Sequence, residues 1–328
     1  DPEVSFRALS LVVIDEQHRF GVEQRAALAH RDAVRPHVLV MTATPIPRTV
    51  AMTVFADLDV STLREIPAGR SQVQTTVVDQ SRHPEWVERA WQRLREEVSA
   101  GRQGFVVCSR IDADPDQGTD TADDQAPAIA VEQLHAHLVE GPLSGLRVEM
   151  VHGRLDPETK DDVMTRFAAG EVDVMVATTV VEVGVNVPNA SVMVVMDADR
   201  FGISQLHQLR GRIGRGQHPG LCLLVTRAPH DSPAAQRLAA VAATRDGFRL
   251  AEADLAARRE GNVLGAAQAG SRSTLRLLRV LEHTEIITQA RDIAEALVRD
   301  DPDLNDPHLA DLVRQTELLA AGDWLERA

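Results

Sequence analysis

Residues 205–216 read QLHQLRGRIGRG, which sets Gln205, Gln208, Arg210, Arg212 and Arg215 among Gly211, Gly214 and Gly216. Long arginine side chains separated by glycine leave little bulk to bury and much charge to present. Glycine lets a backbone approach a phosphate closely. A guanidinium binds phosphate bidentately and stays charged at physiological pH. A lone Gly-Arg pair reads as a solvated basic loop. This longer pattern, after an apolar stretch, reads as an arginine-finger segment that stabilises charge developing on a transferring phosphoryl group.

Working outward, residues 11–18 read LVVIDEQH, an apolar strand ending in two carboxylates. Such a strand sets Asp15 and Glu16 at the ligand-binding edge of a parallel sheet. One carboxylate there can hold Mg²⁺, largely through water. The other can orient or deprotonate an attacking water. Further strings are TATPIPRT (42–49), VHGRLDPETK (151–160), TTVVEVGVNVPNAS (178–191) and DRFGISQLHQLRGRIGRG (199–216). Their order resembles the Walker B, III, V and VI motifs of superfamily 2 helicases. The extended strings, from about residue 8 to about residue 275, resemble the RecG family of ATP-dependent DNA helicases. The transcription-repair coupling factor is the alternative. It shares HRFG, TATPIPRT and the QLHQLRGR block but usually has another residue where Gln17 stands.

The resemblance implies an α/β fold: tandem RecA-like parallel-sheet domains, the first incomplete, then a C-terminal helical hairpin and helices. Residues 1–66 are expected to be the C-terminal part of the first RecA-like domain, and REIPAGRS (64–71) a hinge. Residues 72–228 are expected to form the second RecA-like domain. Its strands are read at 72–78, 104–110, 146–152, 172–178, 191–197 and 221–226. One helix is read from near Pro84 to Gly101. Another has Asp156 as N-cap, Pro157 at its first position and Gly170 past its end. Residues 112–128 are acidic and nearly free of apolar side chains, the composition of a disordered surface loop. Residues 229–275 are expected to be a helical-hairpin translocation element, and 276–328 C-terminal helices. Where the family usually has RGxGExLG, this chain has RREGNVLG (258–265).

The same resemblance implies roles for residues. ATP would be hydrolysed between the two RecA-like domains. Asp15 would bind Mg²⁺, Glu16 would activate water, and Arg212 and Arg215 would be the fingers. Gln208, Gly184 and Asn186 would contact nucleotide. Asn186 stands where the family usually has Asp. Gln17, His18, Thr42 and Thr44 would couple the nucleotide cleft to DNA. His152, Arg154, Thr178, Thr179, Glu182, Arg210, Arg259 and Gln268 would contact DNA. Backbone contacts carry no sequence information, so the implied substrate is branched double-stranded DNA, such as forks and Holliday junctions, chosen by shape.

Composition frames this reading. A length of 328 residues and a hydrophobic content of 44% suit two domains. The net charge of −14 argues at face value against a nucleic-acid partner. From Arg200 to Arg279, however, 13 arginines face five acids, a local net of +8, and local field governs phosphate binding. Cys108 and Cys222 lie in apolar runs and read as buried reduced thiols. No apolar run nears the ~20 residues needed to cross a bilayer, so a cytoplasmic protein is expected; separately, the chain is expected to be a monomer. The sequence contains one lysine, Lys160, and no G-x-x-x-x-G-K-[ST] loop. The chain is therefore expected to be the C-terminal part of a longer protein and to need its missing N-terminal part as partner. The contrasting reading is a DNA-binding fragment that does not hydrolyse ATP.

Overall fold

Runs such as VMVA (174–177) and VMVV (192–195) carry no polar side chain to turn toward water, so strands made of them need cover on both faces. The structure, a computed structural model, describes residues 9–15, 36–42, 61–63, 71–109, 130–178, 187–257 and 283–316. Two short strands come first. β1 (Leu11–Ile14) and β2 (His37–Val40) pair in parallel, Leu11 opposite His37 and Ile14 opposite Val40. Six more follow: β3 (Val73–Asp79), β4 (Gln103–Val107), β5 (Val148–Val151), β6 (Val174–Ala177), β7 (Ala190–Val195) and β8 (Gly220–Thr226). They form one wholly parallel sheet in the order β3-β8-β7-β4-β6-β5. Each overlaps a strand read from the sequence.

Helices cover both faces. α1 (Glu85–Ser99) and α2 (Val131–Glu140) lie on one, and their Trp91, Leu94, Leu134 and Leu138 pack with Val106, Val174, Val176, Val192, Val194 and Val225. On the other lie α3 (Pro157–Ala168), α4 (Ile203–Arg210), α5 (Pro233–Ala243) and α6 (Gly247–Ala257). There Phe167, Leu206, Leu209, Leu238, Val241 and Leu250 pack with Phe105, Met175, Met193 and Leu224. Alternate residues of one strand thus face different helices, and both sets are buried. The α3 start follows the expected cap: Asp156 accepts from the Thr159 backbone N–H at 2.9 Å, with Pro157 at the first turn. Both cysteines are free and buried, as expected. Burial pushes the Cys222 thiol up to about 12, against the pull of the Arg210 charge.

A polar clamp ties α1 to the N-terminal edge of the sheet. The buried Glu97 carboxylate meets Arg93 Nη2 at 2.6 Å and Arg102 Nε, and accepts from Ser191 Oγ. Asn189 Nδ2 donates to Gly101 O at 2.9 Å. The PNAS string (188–191) is therefore a structural joint between the α1–β4 turn and β7.

The described residues fall into two units. The first holds β1–β8 and α1–α6; the second holds α7 (Thr284–Asp300). α7 buries Ile287 and exposes Ile286, Ile293 and Val298. Residues 64–70 of the expected hinge (64–71), the acidic stretch at 112–128 and the RREGNVLG string lie outside the described residues.

Candidate functional site

The QLHQLRGRIGRG segment begins within α4. Ile203, Leu206 and Leu209 recur at three-residue spacing and are buried, so one side of the helix is fixed to the sheet. Gln205 Oε1 accepts from the Gly202 backbone N–H at 3.0 Å at the helix start. Past the helix, the chain returns to the N-terminal edge of the sheet, where β8 begins. Gly214 N–H donates to Ala190 O at 3.3 Å, and Ser71 Oγ donates to Gly216 O at 2.9 Å.

The glycines have a reason that differs from the expected one. Gly214 sits at φ +66°, and a Cβ there would lie 2.6 Å from Val73 Cγ2. A Cβ on Gly216 would lie 2.4 Å from the Pro188 carbonyl oxygen. These two glycines let the loop press against the start of β3 and the turn into β7. Close approach to a phosphate is not needed to explain them.

The arginines separate into different environments. Arg215 is exposed, and its Nε donates to Gly211 O at 2.8 Å, which folds the stem back on the end of α4. Arg212 is half-buried, as is Gln208. Arg210 is buried, and its Nη1 donates to Val241 O at 2.9 Å and Thr244 O at 2.8 Å. Arg210 is one of the residues expected to contact DNA, and its Nη1 is held at the end of α5 inside the domain.

A second set of groups lies at the opposite, C-terminal edge. His152 follows β5 and Thr178 follows β6, and these strands are neighbours in parallel, so the two residues sit side by side. Both are buried, His152 at 7% exposure and Thr178 at 4%. His152 Nδ1 accepts from the Arg154 backbone N–H at 3.3 Å, while the Arg154 side chain is exposed. Lys160 Nζ donates to Gly153 O at 3.0 Å, which holds the HGR turn from α3. Of these groups, the arginine is the one presented to solvent.

The sequence reading missed a polar knot beyond β7. Asp197 has left-handed φ (+46°), is nearly buried, and meets Arg227 Nη2 at 2.9 Å. Thr226 Oγ1 donates to Asp199 Oδ1, and Arg237 Nη2 donates to Asp199 O at 3.2 Å. The available signal was an acid pair directly after an apolar strand, where Asp is the residue that tolerates a left-handed turn.

In the β1–β2 pair, Met41 N–H donates to Ile14 O at 2.7 Å. Asp15 and Thr42 therefore stand at adjoining C-terminal ends, both exposed. Among the described residues no group of three His, Cys, Asp or Glu could hold a metal. A single exposed carboxylate still suits Mg²⁺, which keeps several waters and uses one or two protein carboxylates with phosphate oxygens. Glu16, Gln17, His18, Thr44, Thr179, Glu182, Gly184, Asn186, Arg259 and Gln268 lie outside the described residues.

Comparison with known proteins bears on this arrangement. Residues 89–217 match the helicase conserved C-terminal domain, and residues 244–323 match the ATP-dependent DNA helicase RecG, domain 3, C-terminal family. ATP-dependent DNA helicase RecG of Mycobacterium tuberculosis is 57% identical over 291 residues, 88% of this chain and 39% of the relative. Over most of its length the chain is similar to RecG helicases. RecG of Bacillus subtilis is 42% identical over 98% of this chain and 44% of its own length. The chain thus spans about two fifths of the length of the curated RecG relatives it matches. A solved structure of RecG bound to a three-way DNA junction aligns at TM-score 0.63 and 35% identity, over 87% of this chain and 34% of that one. A Mycobacterium smegmatis helicase, Lhr, is similar in fold at TM-score 0.50 and 17% identity, over 71% of this chain and 31% of that one. No described helix is long and apolar enough to cross a membrane.

Proposed function

We propose that this chain supplies the second motor domain, and the helical module after it, of an ATP-dependent helicase that unwinds and remodels branched DNA. The observation that carries this reading is the finger segment. It is strapped to the sheet through Gly214 and Gly216 while Arg215 stays exposed. A preorganised cation costs little reorganisation when charge develops on a phosphoryl group. The likeness to a RecG solved with a three-way DNA junction supports branched DNA as the ligand class.

In this reading Asp15 holds Mg²⁺, which would neutralise nucleotide phosphate charge when bound. Glu16 accepts the proton of the attacking water, Arg212 and Arg215 stabilise the transferring phosphoryl group, and Gln208, Gly184 and Asn186 hold nucleotide. Gln17, His18, Thr42 and Thr44 relay nucleotide state. Arg154 presents its charge to the DNA backbone beside His152 and Thr178, and Thr179 and Glu182 also contact DNA. Arg259 and Gln268 act in the translocation element. Residues 1–66 would complete their domain with the N-terminal part of a longer protein.

The test is Arg215→Ala in a full-length protein carrying this chain. DNA-stimulated ATP turnover should fall on the order of 10³-fold, with DNA affinity little changed. Retained single-turnover hydrolysis, together with weaker binding and a salt slope lower by about one unit, would instead make Arg215 a DNA contact.

A further inference from the structure

Arg215 hangs between two glycines, Gly214 and Gly216, and glycine leaves a backbone free to rotate. A group that stabilises developing charge must already be in place when the charge appears. The bond from Arg215 Nε to Gly211 O bends the stem, but the backbone beneath it has to be fixed from elsewhere. Each flank has one such anchor. Before the arginine, Gly214 N–H donates to Ala190 O at 3.3 Å, at the start of β7. After it, the Gly216 carbonyl accepts from Ser71 Oγ at 2.9 Å.

Ser71 is the last residue of the expected hinge and stands two positions before β3. The contacts around it differ in kind. Gly220 N–H donates to Gln72 O at 2.9 Å. A Cβ on Gly214 or Gly220 would lie 2.6 or 2.8 Å from Val73 Cγ2. These backbone and apolar contacts hold the two ends of the loop whatever residue stands at position 71. The bond to Gly216 depends on the hydroxyl. It reaches into the middle of the loop, 145 residues away in sequence, and takes the peptide directly after Arg215.

We propose that Ser71 is a positioning residue for the finger: its hydroxyl fixes the Gly216 peptide and so sets the direction in which Arg215 meets the transferring phosphoryl group. This rests on the helicase reading above.

The experiment uses full-length protein carrying Ser71→Ala, Ser71→Val or Ser71→Thr. The Ala and Val variants should lower the DNA-stimulated kcat roughly three- to tenfold, the scale of one hydrogen bond, with KM for ATP unchanged. Affinity for ADP with aluminium fluoride, which imitates the transferring phosphoryl group, should fall by the same factor, and affinity for ADP alone should not. Thr has the shape of Val and keeps the hydroxyl, so Ser71→Thr should stay near the wild-type rate. That pair decides the matter if the Ala variant does not fold. On an Arg215→Ala background Ser71→Ala should add less than about twofold, because its effect runs through that side chain. A wild-type kcat in Ser71→Ala, a Thr variant as slow as Val, or an undiminished loss on the Arg215→Ala background would overturn the positioning role alone. Wild-type turnover in Arg215→Ala itself would overturn the finger reading and the role of Ser71 with it.

Discussion

β1 and β2 are written in the same apolar alphabet as β6 and β7 yet lie in the opposite environment. Leu11, Val13 and Leu39 are 56%, 53% and 52% exposed, whereas every residue of β6 and β7 is buried. The difference is not in propensity, since LVVI and VMVA would serve equally in a parallel sheet. It lies in the neighbours. β6 has strands on both sides and helices over both faces, while among the described residues β1 pairs with β2 alone. Burial is a property of the assembly around a strand, and a parallel pair left this open marks where further cover belongs. The proposal of a longer motor protein supplies that cover.

The sharpest way to break this comparison is through chemistry. If residues 1–66 need more chain to work, the 328-residue protein should hydrolyse ATP at least on the order of 10³-fold more slowly than the full-length protein. Its one lysine is spent on the Gly153 carbonyl within the α3 region and stands in no glycine loop. DNA-stimulated turnover near the full-length rate would refute the reading of the first sheet as incomplete.

Stability should divide the same way. Leu138 is fully buried under the six-stranded sheet, and Leu138→Ala should cost about 2–5 kcal/mol. Leu39→Ala, in the exposed pair, should change stability by no more than about 0.5 kcal/mol in the same chain. Urea unfolding of the two variants checks both values. Equal losses would mean that the β1–β2 pair is covered in solution. Gly216→Ala should fall in between, at about 1–3 kcal/mol, because its Cβ meets a backbone oxygen that cannot swing away. A neutral result would show that the finger loop is not strapped as described.

How far the sequence reached follows from the same physics. Strands buried on both faces announce themselves as apolar runs, so β3 to β8 were legible, as were the Asp156 cap and the buried thiols. The finger motif was legible as a string, but its internal roles were not. That Arg210 turns inward depends on Val241 and Thr244, more than 30 residues away. That Gly216 is a packing residue depends on Pro188. Glu97 reads in sequence as one more acid on a charged helix, with Arg93 four residues before it as the only local hint. Its burial is set by Arg102 and Ser191, brought there by the turn into β4 and by β7. Partners chosen by topology leave no periodic trace.

Glu97 gives the smallest effect and the finest probe of the covered sheet. Burial pushes its carboxyl up, but hydrogen bonds from Arg102 and Ser191 and the charges of Arg102 and Arg93 outweigh this and hold it below the ordinary carboxylate range. A group whose folded pKa is depressed binds fewer protons in the folded state than in the unfolded one. Its stabilisation is therefore complete above the ordinary glutamate value and drains away as pH falls through the lowered one. Thermal melting of the chain should lose stability on acidification through that window, and Glu97→Gln should flatten part of the slope whatever it does to stability at neutral pH. Salt should weaken the slope only slightly, because the carboxylate is shielded from solvent. If Glu97→Gln leaves the acid slope unchanged, the clamp between α1 and β7 is not held by charge. The N-terminal edge of the covered sheet would then rest on apolar packing alone.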